Sequence, residues 1–415
     1  MPLAPTPTAR QGELRTKARR FAEDVLRDVK ASAEQLSTPA ERFAATKPAY
    51  ERLVSGGFLR ACIRETAGGD RSCLTDVALL TEELFCGSPG VALTLVGTVL
   101  GLQPVVVGGT REQQSRLLAP FLTGHGAPLA GFCSSEPGGS ANAGSPPPGE
   151  GVRTAARVDG DDWIINGRKR WVSSATGWDG SGADLLCVVA RTDPSVPPAG
   201  GVSVLAVEGP VDGLVLEGII DSPGFRAHFL PDFTFRGVRS SRRNLIGREG
   251  AGLRLVSESF AEASALVGVM GVALMRAAFV HVLQFAKSER RGGAVPIIDH
   301  QAVGYELVNA KARMEACRSL TWRACRAIDA GSVAAAELAN CAKIFSSETA
   351  VSVITDLTRV VGVESYDLSN PLNGLLQDAL ALPVFGGGNL GVRRRALHAL
   401  IQSAEYDPLT SSDVP

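Results

Sequence analysis

The chain has 415 residues, 45% hydrophobic and 20% charged, with a formal net charge of −1. That length is too great for one simple core and calls for two or three packed layers or domains. A near-neutral chain with scattered basic residues leaves no electrostatic footprint for nucleic acid, although Arg393, Arg394 and Arg395 form a tight triplet.

The eight cysteines form no CxxC pair and do not cluster with the five histidines. The expectation is therefore reduced thiols, no metal site and a cytoplasmic location. The N-terminal stretch MPLAPTPTARQGELRTKARRF has no continuous apolar run of signal-peptide length. The most apolar long segment, residues 265–275, is interrupted at Arg276 and falls short of a membrane span. A soluble protein without a membrane partner is expected.

In chain order, residues 11–123 read as helical. Over 13–30, Leu14, Ala18, Phe21, Val25 and Val29 recur at helical spacing. A short helix over 48–55 is closed by Gly56 and Gly57; helices over 74–85, 89–107 and 110–121 follow, the second apolar enough to be buried. From 129 to 239 the pattern changes to short β runs, with 185–191, 202–207 and 233–238 strand-like. Pro- and Gly-rich connections lie at 193–201 and 221–224, and residues 144–151 form a loop. From Asn244 helices return over 253–290, 300–330, 332–357 and 377–405.

The chemistry concentrates in residues 131–174. In SSEPGG, Ser134, Ser135 and Glu136 precede a tight turn, because Pro137 fixes φ while Gly138 and Gly139 permit positive φ. Further on, Trp163, Ile164 and Ile165 read as a strand entering an Asn166-Gly167 turn, with 169–172 returning. That hairpin delivers Trp171 beside Ser173 and Ser174. An aromatic plane with small polar neighbours suits a flat heterocycle, and it equally suits an ordinary hairpin with a core Trp.

These segments resemble the acyl-CoA dehydrogenase family of flavoproteins, whose middle domain carries TEPGAGSD followed by INGxKxWITN. Here SEPGGSAN and INGRKRWVSS stand in that order. The likeness extends along nearly the whole chain, with ETAGG at 65–69 similar to PEEYGG and residues 110–121 similar to GTEEQKxxxLPxL. It implies an α+β fold: an N-terminal helical domain (1–128), a middle β domain (129–241) and a C-terminal antiparallel four-helix bundle (242–415). It also implies bound FAD, an acyl thioester substrate carried by CoA or an acyl carrier protein, and a homodimer or homotetramer. By resemblance, Phe132, Cys133 and Ser135 lie against the flavin pyrimidine, and Trp171 and Ser173 near the reactive nitrogen. Ser replaces the usual Thr at 135 and 173 and keeps the hydroxyl. Arg290, Gln301, Arg359 and Gly362 stand where the family contacts the dinucleotide, in part from a neighbouring subunit.

The substrate side departs from the family. GSD becomes Ser140-Ala141-Asn142, so a hydroxyl near the thioester is lost at Ala141. The IYEGT loop becomes Val384-Phe385-Gly386-Gly387-Gly388, which leaves Phe385 and Gly386 at the substrate and Gly386 where the base should stand. Glycine accepts no proton. Some members carry the base on the first long C-terminal helix, where Ala263 falls at that position and Glu262 one residue before it. One step turns a helical side chain by about 100°, so Glu262 reads either as a displaced base or as a solvated carboxylate on a helix face. The implied function is an FAD-dependent oxidoreductase acting on an acyl thioester with a displaced base. The alternatives are a flavin monooxygenase on the same fold, or a member that keeps FAD as structure.

Overall fold

The computed structural model describes residues 7–413. Helix α1 (Ala9–Phe21) starts on a capping box, in which Thr8 accepts from the Gln11 N–H and the Gln11 side chain accepts from the Thr8 N–H. A π turn over Ala22–Leu26 leads to α2 (Arg27–Ala33). Then come α3 (Pro39–Ser55), α4 (Leu74–Gly87), α5 (Pro89–Gly108), α6 (Arg111–Leu117) and α7 (Ala119–Leu122). The helix expected over 48–55 begins nine residues earlier, at Pro39, on a second capping box between Thr38 and Glu41. Pro48 therefore lies inside a helix, where it costs about 3 kcal/mol. Burial of Phe43, Tyr50, Leu53 and Val54 on the same helix outweighs that loss.

The middle of the chain folds into a mixed eight-stranded sheet. Its strands are β1 (Ala130–Cys133), β2 (Ala155–Asp159), β3 (Asp162–Arg170), β4 (Leu185–Arg191), β5 (Val202–Glu208), β6 (Leu214–Ile219), β7 (Pro231–Ser241) and β8 (Leu245–Ile246), with a short α8 (Pro198–Gly201) before β5. The order is β6-β7-β3-β2-β4-β5-β8, and β1 lies parallel to β4. The Asn166-Gly167 turn does not exist. Strand β3 runs straight through it and pairs with β7 on both sides, with a register shift between Ile165 and Gly167. This is a bulge, which needs a special backbone position as a turn does. Gly167 sits at φ +148, and a Cβ there would lie 2.6 Å from Thr154 Cα. The hairpin is instead β2–β3, closed where Asp159 pairs with Asp162.

Helices α9 (Gly252–Ser288), α10 (Gln301–Asp329) and α11 (Ala335–Val361) pack together, with α12 (Pro371–Ala381) against α9 and α11. The helix expected over 377–405 is broken. After α12, residues 382–388 turn, and a π turn over Asn389–Arg393 leads into α13 (Arg394–Ile401). By length and composition alone, α5 and α9 are apolar enough to cross a membrane. Both are largely buried among other elements, as core helices are. One continuous apolar core joins the N-terminal helices, the sheet and the C-terminal helices.

Candidate active site

The ends of β1 and β3 lie side by side, where the Arg170 N–H donates to the Ser135 carbonyl at 3.1 Å. Just beyond β1, Glu136 is buried and clamps the loop. It accepts from the Thr154 N–H (2.9 Å) and hydroxyl (2.7 Å), the Arg153 N–H (3.0 Å) and Lys169 Nζ (3.0 Å). Burial pushes this carboxyl up, but the Lys169 charge and the donating N–H groups outweigh it and hold it below the usual range. The carboxylate of SSEPGG is thus a structural clamp.

Trp171 turns the chain out of the sheet in a left-handed conformation, φ +66, which non-glycine residues adopt rarely. Its indole is 49% exposed, with the Arg170 guanidinium 4.9 Å from the ring centroid. Ser173 is fixed from two sides. Its hydroxyl meets His228 Nε2 at 3.0 Å, and His228 Nδ1 meets the Thr94 hydroxyl at 3.1 Å. From the other side α5 approaches so closely that a Cβ on Gly97 would lie 2.8 Å from Ser173 Cβ. Burial pushes His228 down to about 3, so the imidazole is neutral and serves to orient the hydroxyl. The adjacent Ser174 hydroxyl is buried without a hydrogen-bond partner among the described residues. An exposed aromatic plane, a fixed hydroxyl and an unspent one fit the ring and polar edge of a flavin. Phe132 stacks on Phe260 of α9 at 5.3 Å. Cys133 is buried with its thiol pushed up to about 12, so it offers the site its backbone and not a thiolate.

The loop between β6 and β7 joins this edge to the C-terminal turn. His228 holds Ser173, while Phe225 packs edge-on to Phe385 at 5.9 Å. The Phe225 N–H is held by the buried carboxyl of Asp378 on α12. Next to Phe385, Gly386 has φ +59, and a Cβ built there would meet Val267 Cγ2 at 3.7 Å and Lys343 Cε at 4.0 Å with nothing nearer. The fully buried Lys343 donates to Asn389 Oδ1 (2.8 Å) and the Leu382 carbonyl (3.3 Å). Burial, then the neighbouring charge of Arg393, lowers it to about 7. Arg393 donates to the carbonyls of Gly386 (2.5 Å) and Gly387 (3.2 Å) and to Asn340 Oδ1 (3.4 Å); burial lowers it to about 10. Among the described residues, the hydrogen-bond partners of these two cations are neutral. The nearby carboxylate of Glu348 is already engaged by Arg394 at 2.7 and 2.8 Å and by Asn389 at 3.0 Å. Sequence reading missed Lys343 and Arg393; the available signal was a lysine inside the apolar run of α11.

Glu262 is neither solvated nor free. It is buried on α9, paired with Arg71 through two 2.8 Å bonds and with Arg64, and it accepts from Gln103 at 3.3 Å. Burial raises its carboxyl, but the two guanidiniums outweigh that and keep it below the usual range. A carboxylate so held is a poor proton acceptor. Glu262→Gln is expected to leave flavin reduction within a few-fold of wild type while lowering stability by about 3–5 kcal/mol, because the buried Arg71 loses its counter-charge. Loss of reduction by two orders of magnitude in a folded, flavin-loaded variant would return the base role to Glu262.

The residues expected at the dinucleotide end make local contacts within this chain. Arg290 donates to the Ala294 carbonyl, Gln301 to the Tyr305 hydroxyl and Arg359 to Asp356, and all three are exposed. At Gly362 the neighbouring arginine is Arg291 (Nη2 3.8 Å from a built Cβ), which pairs with Glu364 at 2.8 Å. The Ala141 carbonyl accepts from Arg395, so this loop packs on the start of α13.

Family models described as the N-terminal, middle and C-terminal domains of acyl-CoA dehydrogenase match residues 8–125, 131–238 and 250–401 in that order. The chain belongs to the acyl-CoA dehydrogenase family. Within it, the chain is similar to nitroalkane oxidase of Podospora anserina, 41% identical over 392 residues and covering 89% of each protein. It is also similar to nitroalkane oxidase of Fusarium oxysporum, 35% identical over 419 residues, covering 96% of this chain and 94% of that protein. A solved nitroalkane oxidase carrying an active-site Asp→Asn change, crystallised with 1-nitrooctane, superposes with a TM-score of 0.95 at 34% identity over 100% of both chains. For the flavoprotein nitroalkane oxidase, roles in the reaction were analysed for an Arg and an Asp, the Arg seven positions after the Asp. This acyl-CoA dehydrogenase family member is a flavin-dependent oxidoreductase, and its cofactor is FAD.

Proposed function

We propose that the chain is an FAD-dependent oxidase of small carbon acids of the nitroalkane type, in place of the acyl thioester expected from the sequence. The observation that carries this reading is at the C-terminal turn. Arg393 stands seven positions after Gly386, the spacing of the Arg and Asp named for the relative. A Cβ at 386 meets only ordinary contacts, with Val267 at 3.7 Å and the Lys343 stem at 4.0 Å. FAD, when bound, takes up the two electrons removed from the substrate carbon. The chain's own residues do the rest. Trp171, Ser173 and Ser174 would hold the flavin edge, and Phe225 and Phe385 would exclude water beside it. Arg393 fixes the turn through the carbonyls of Gly386 and Gly387. A second copy of the chain completes the dinucleotide end, where Gln301 and Arg359 point outward with local partners alone.

Anaerobic mixing of the FAD-loaded protein with 1-nitroalkanes, offered neutral and as their anions, and separately with a panel of acyl-CoAs tests this. Bleaching of the flavin absorbance by nitro compounds, followed by nitrite release and oxygen uptake on aeration, is expected. Bleaching by acyl-CoAs alone would overturn it.

A further inference from the structure

We infer that the gap at Gly386 is an anion site, and that the substrate enters it already ionised, as a nitronate and not as a neutral nitroalkane. The inference rests on the nitroalkane reading for the identity of the anion, and on geometry for the site itself. Lys343 is fully buried and Arg393 partly so, the two are close enough to repel, and their partners are carbonyl and amide oxygens. Buried charge without a counter-charge is costly, and Glu348, the carboxylate within reach, is tied to Arg394 and Asn389. The vacant side-chain position at 386 opens onto the Lys343 stem, so a ligand's negative charge can stand where a side-chain carboxylate would. Cations whose bonds go to neutral oxygens, beside a carboxylate already shared with Arg394, favour an anionic ligand.

Chemistry points the same way. A neutral nitroalkane must give up a carbon-bound proton; Gly386 has no acceptor to offer, and Glu262 is locked between Arg64 and Arg71. A nitronate has lost that proton before it binds. Its charge is shared by two oxygens on one nitrogen, the pattern a guanidinium or ammonium group meets in a carboxylate. The overall reaction balances without a base: nitronate, dioxygen and water give aldehyde, nitrite and hydrogen peroxide. The carbon–nitrogen bond breaks, nitrite leaves with the bonding pair as the oxygen of water bonds to carbon, and dioxygen is reduced by two electrons to peroxide, carrying away the two protons of the water.

Two measurements on the FAD-loaded protein test this. In rapid mixing near neutral pH, a nitronate prepared in alkali and its neutral parent are compared at equal concentration. The anion is expected to reduce the flavin at least ~10²-fold faster, the lower end of what a general base contributes. Calorimetric titration with sodium acetate, which needs no turnover, is expected to show one saturable site that Lys343→Met weakens at least ~10-fold. Equal rates for the two nitro forms mean that another base operates and overturn the substrate assignment. Absence of saturable acetate binding overturns the site. Acetate binding at Lys343 with no reduction by either nitro form would keep the anion site and sink the nitroalkane reading.

Discussion

Gly386→Asp is expected to accelerate flavin reduction by neutral nitroalkanes by ~10²–10⁴-fold, the usual worth of a positioned general base, and to slow reduction by nitronates. The backbone at 386 is left-handed, φ +59, a region Asp and Asn enter more readily than other side chains. The nearest atoms to a Cβ there are 3.7 and 4.0 Å away, so the first carbon of the new side chain meets only ordinary contacts. Gly386→Glu projects further from the same strained backbone and is expected to gain less. The new carboxylate lies between Lys343 and Arg393, which lowers its proton affinity and places the gain toward the bottom of the range. It also supplies the missing counter-charge, which gives a signature in stability. In the wild type, burial and Arg393 depress Lys343 to about 7. Between that value and the ordinary lysine range the unfolded chain binds the extra proton, so stability rises as pH increases through that window. With Asp at 386, Lys343 returns toward its ordinary value and the rise disappears. Thermal melts from pH 6 to 10 would show it. A folded, FAD-loaded Gly386→Asp protein with no gain on neutral nitroalkanes would mean that the turn does not face the reacting carbon.

How legible the molecule is from its sequence depends on how far apart the interacting parts lie. Helical periodicity is local, and 185–191 reads as the strand it is because its apolar run is bounded by turn residues on both sides. Asn166-Gly167 misleads because turn and bulge ask for the same backbone freedom. The choice between them is made by β7, whose Val238 and Phe235 pair on either side of the shift. Trp171 and Ser173 are visible in a motif, whereas His228 and Thr94, which fix Ser173, come from a distant loop and from α5. Glu262 is conspicuous on its helix, but Arg71 lies 191 residues away and only folding joins them. Lys343 and Arg393 have the same difficulty: each looks like an ordinary helix cation until α11 and the C-terminal turn bring both to Gly386.

Lys169→Met is expected to lower stability by about 3 kcal/mol and to loosen FAD, because it leaves the buried Glu136 with only the half-exposed Arg153 guanidinium at 3.7 Å as a counter-charge. Lys169 is fully buried, and its ammonium also donates to the Val189 carbonyl at 2.8 Å, so a methionine of similar length fills the space without repairing either bond. The flavin edge suffers because Glu136 holds the loop that follows Ser135 against Thr154, and the Ser135 carbonyl takes the Arg170 N–H beside Trp171. The pH dependence separates charge from packing. In the wild type Glu136 is held below the usual carboxylate range, so its contribution is complete above its unfolded pKa and is lost as pH falls through the folded value. Without the Lys169 charge, burial is offset only by the Thr154 and Arg153 donors, and the folded carboxyl moves up. The variant's cost is then greatest at neutral pH, and it shrinks as acid protonates Glu136. The gap in melting temperature between wild type and Lys169→Met should therefore narrow from pH 7 toward pH 4. A gap that stays constant across that range would assign the loss to packing and remove Glu136 from its place as the electrostatic clamp of the flavin loop.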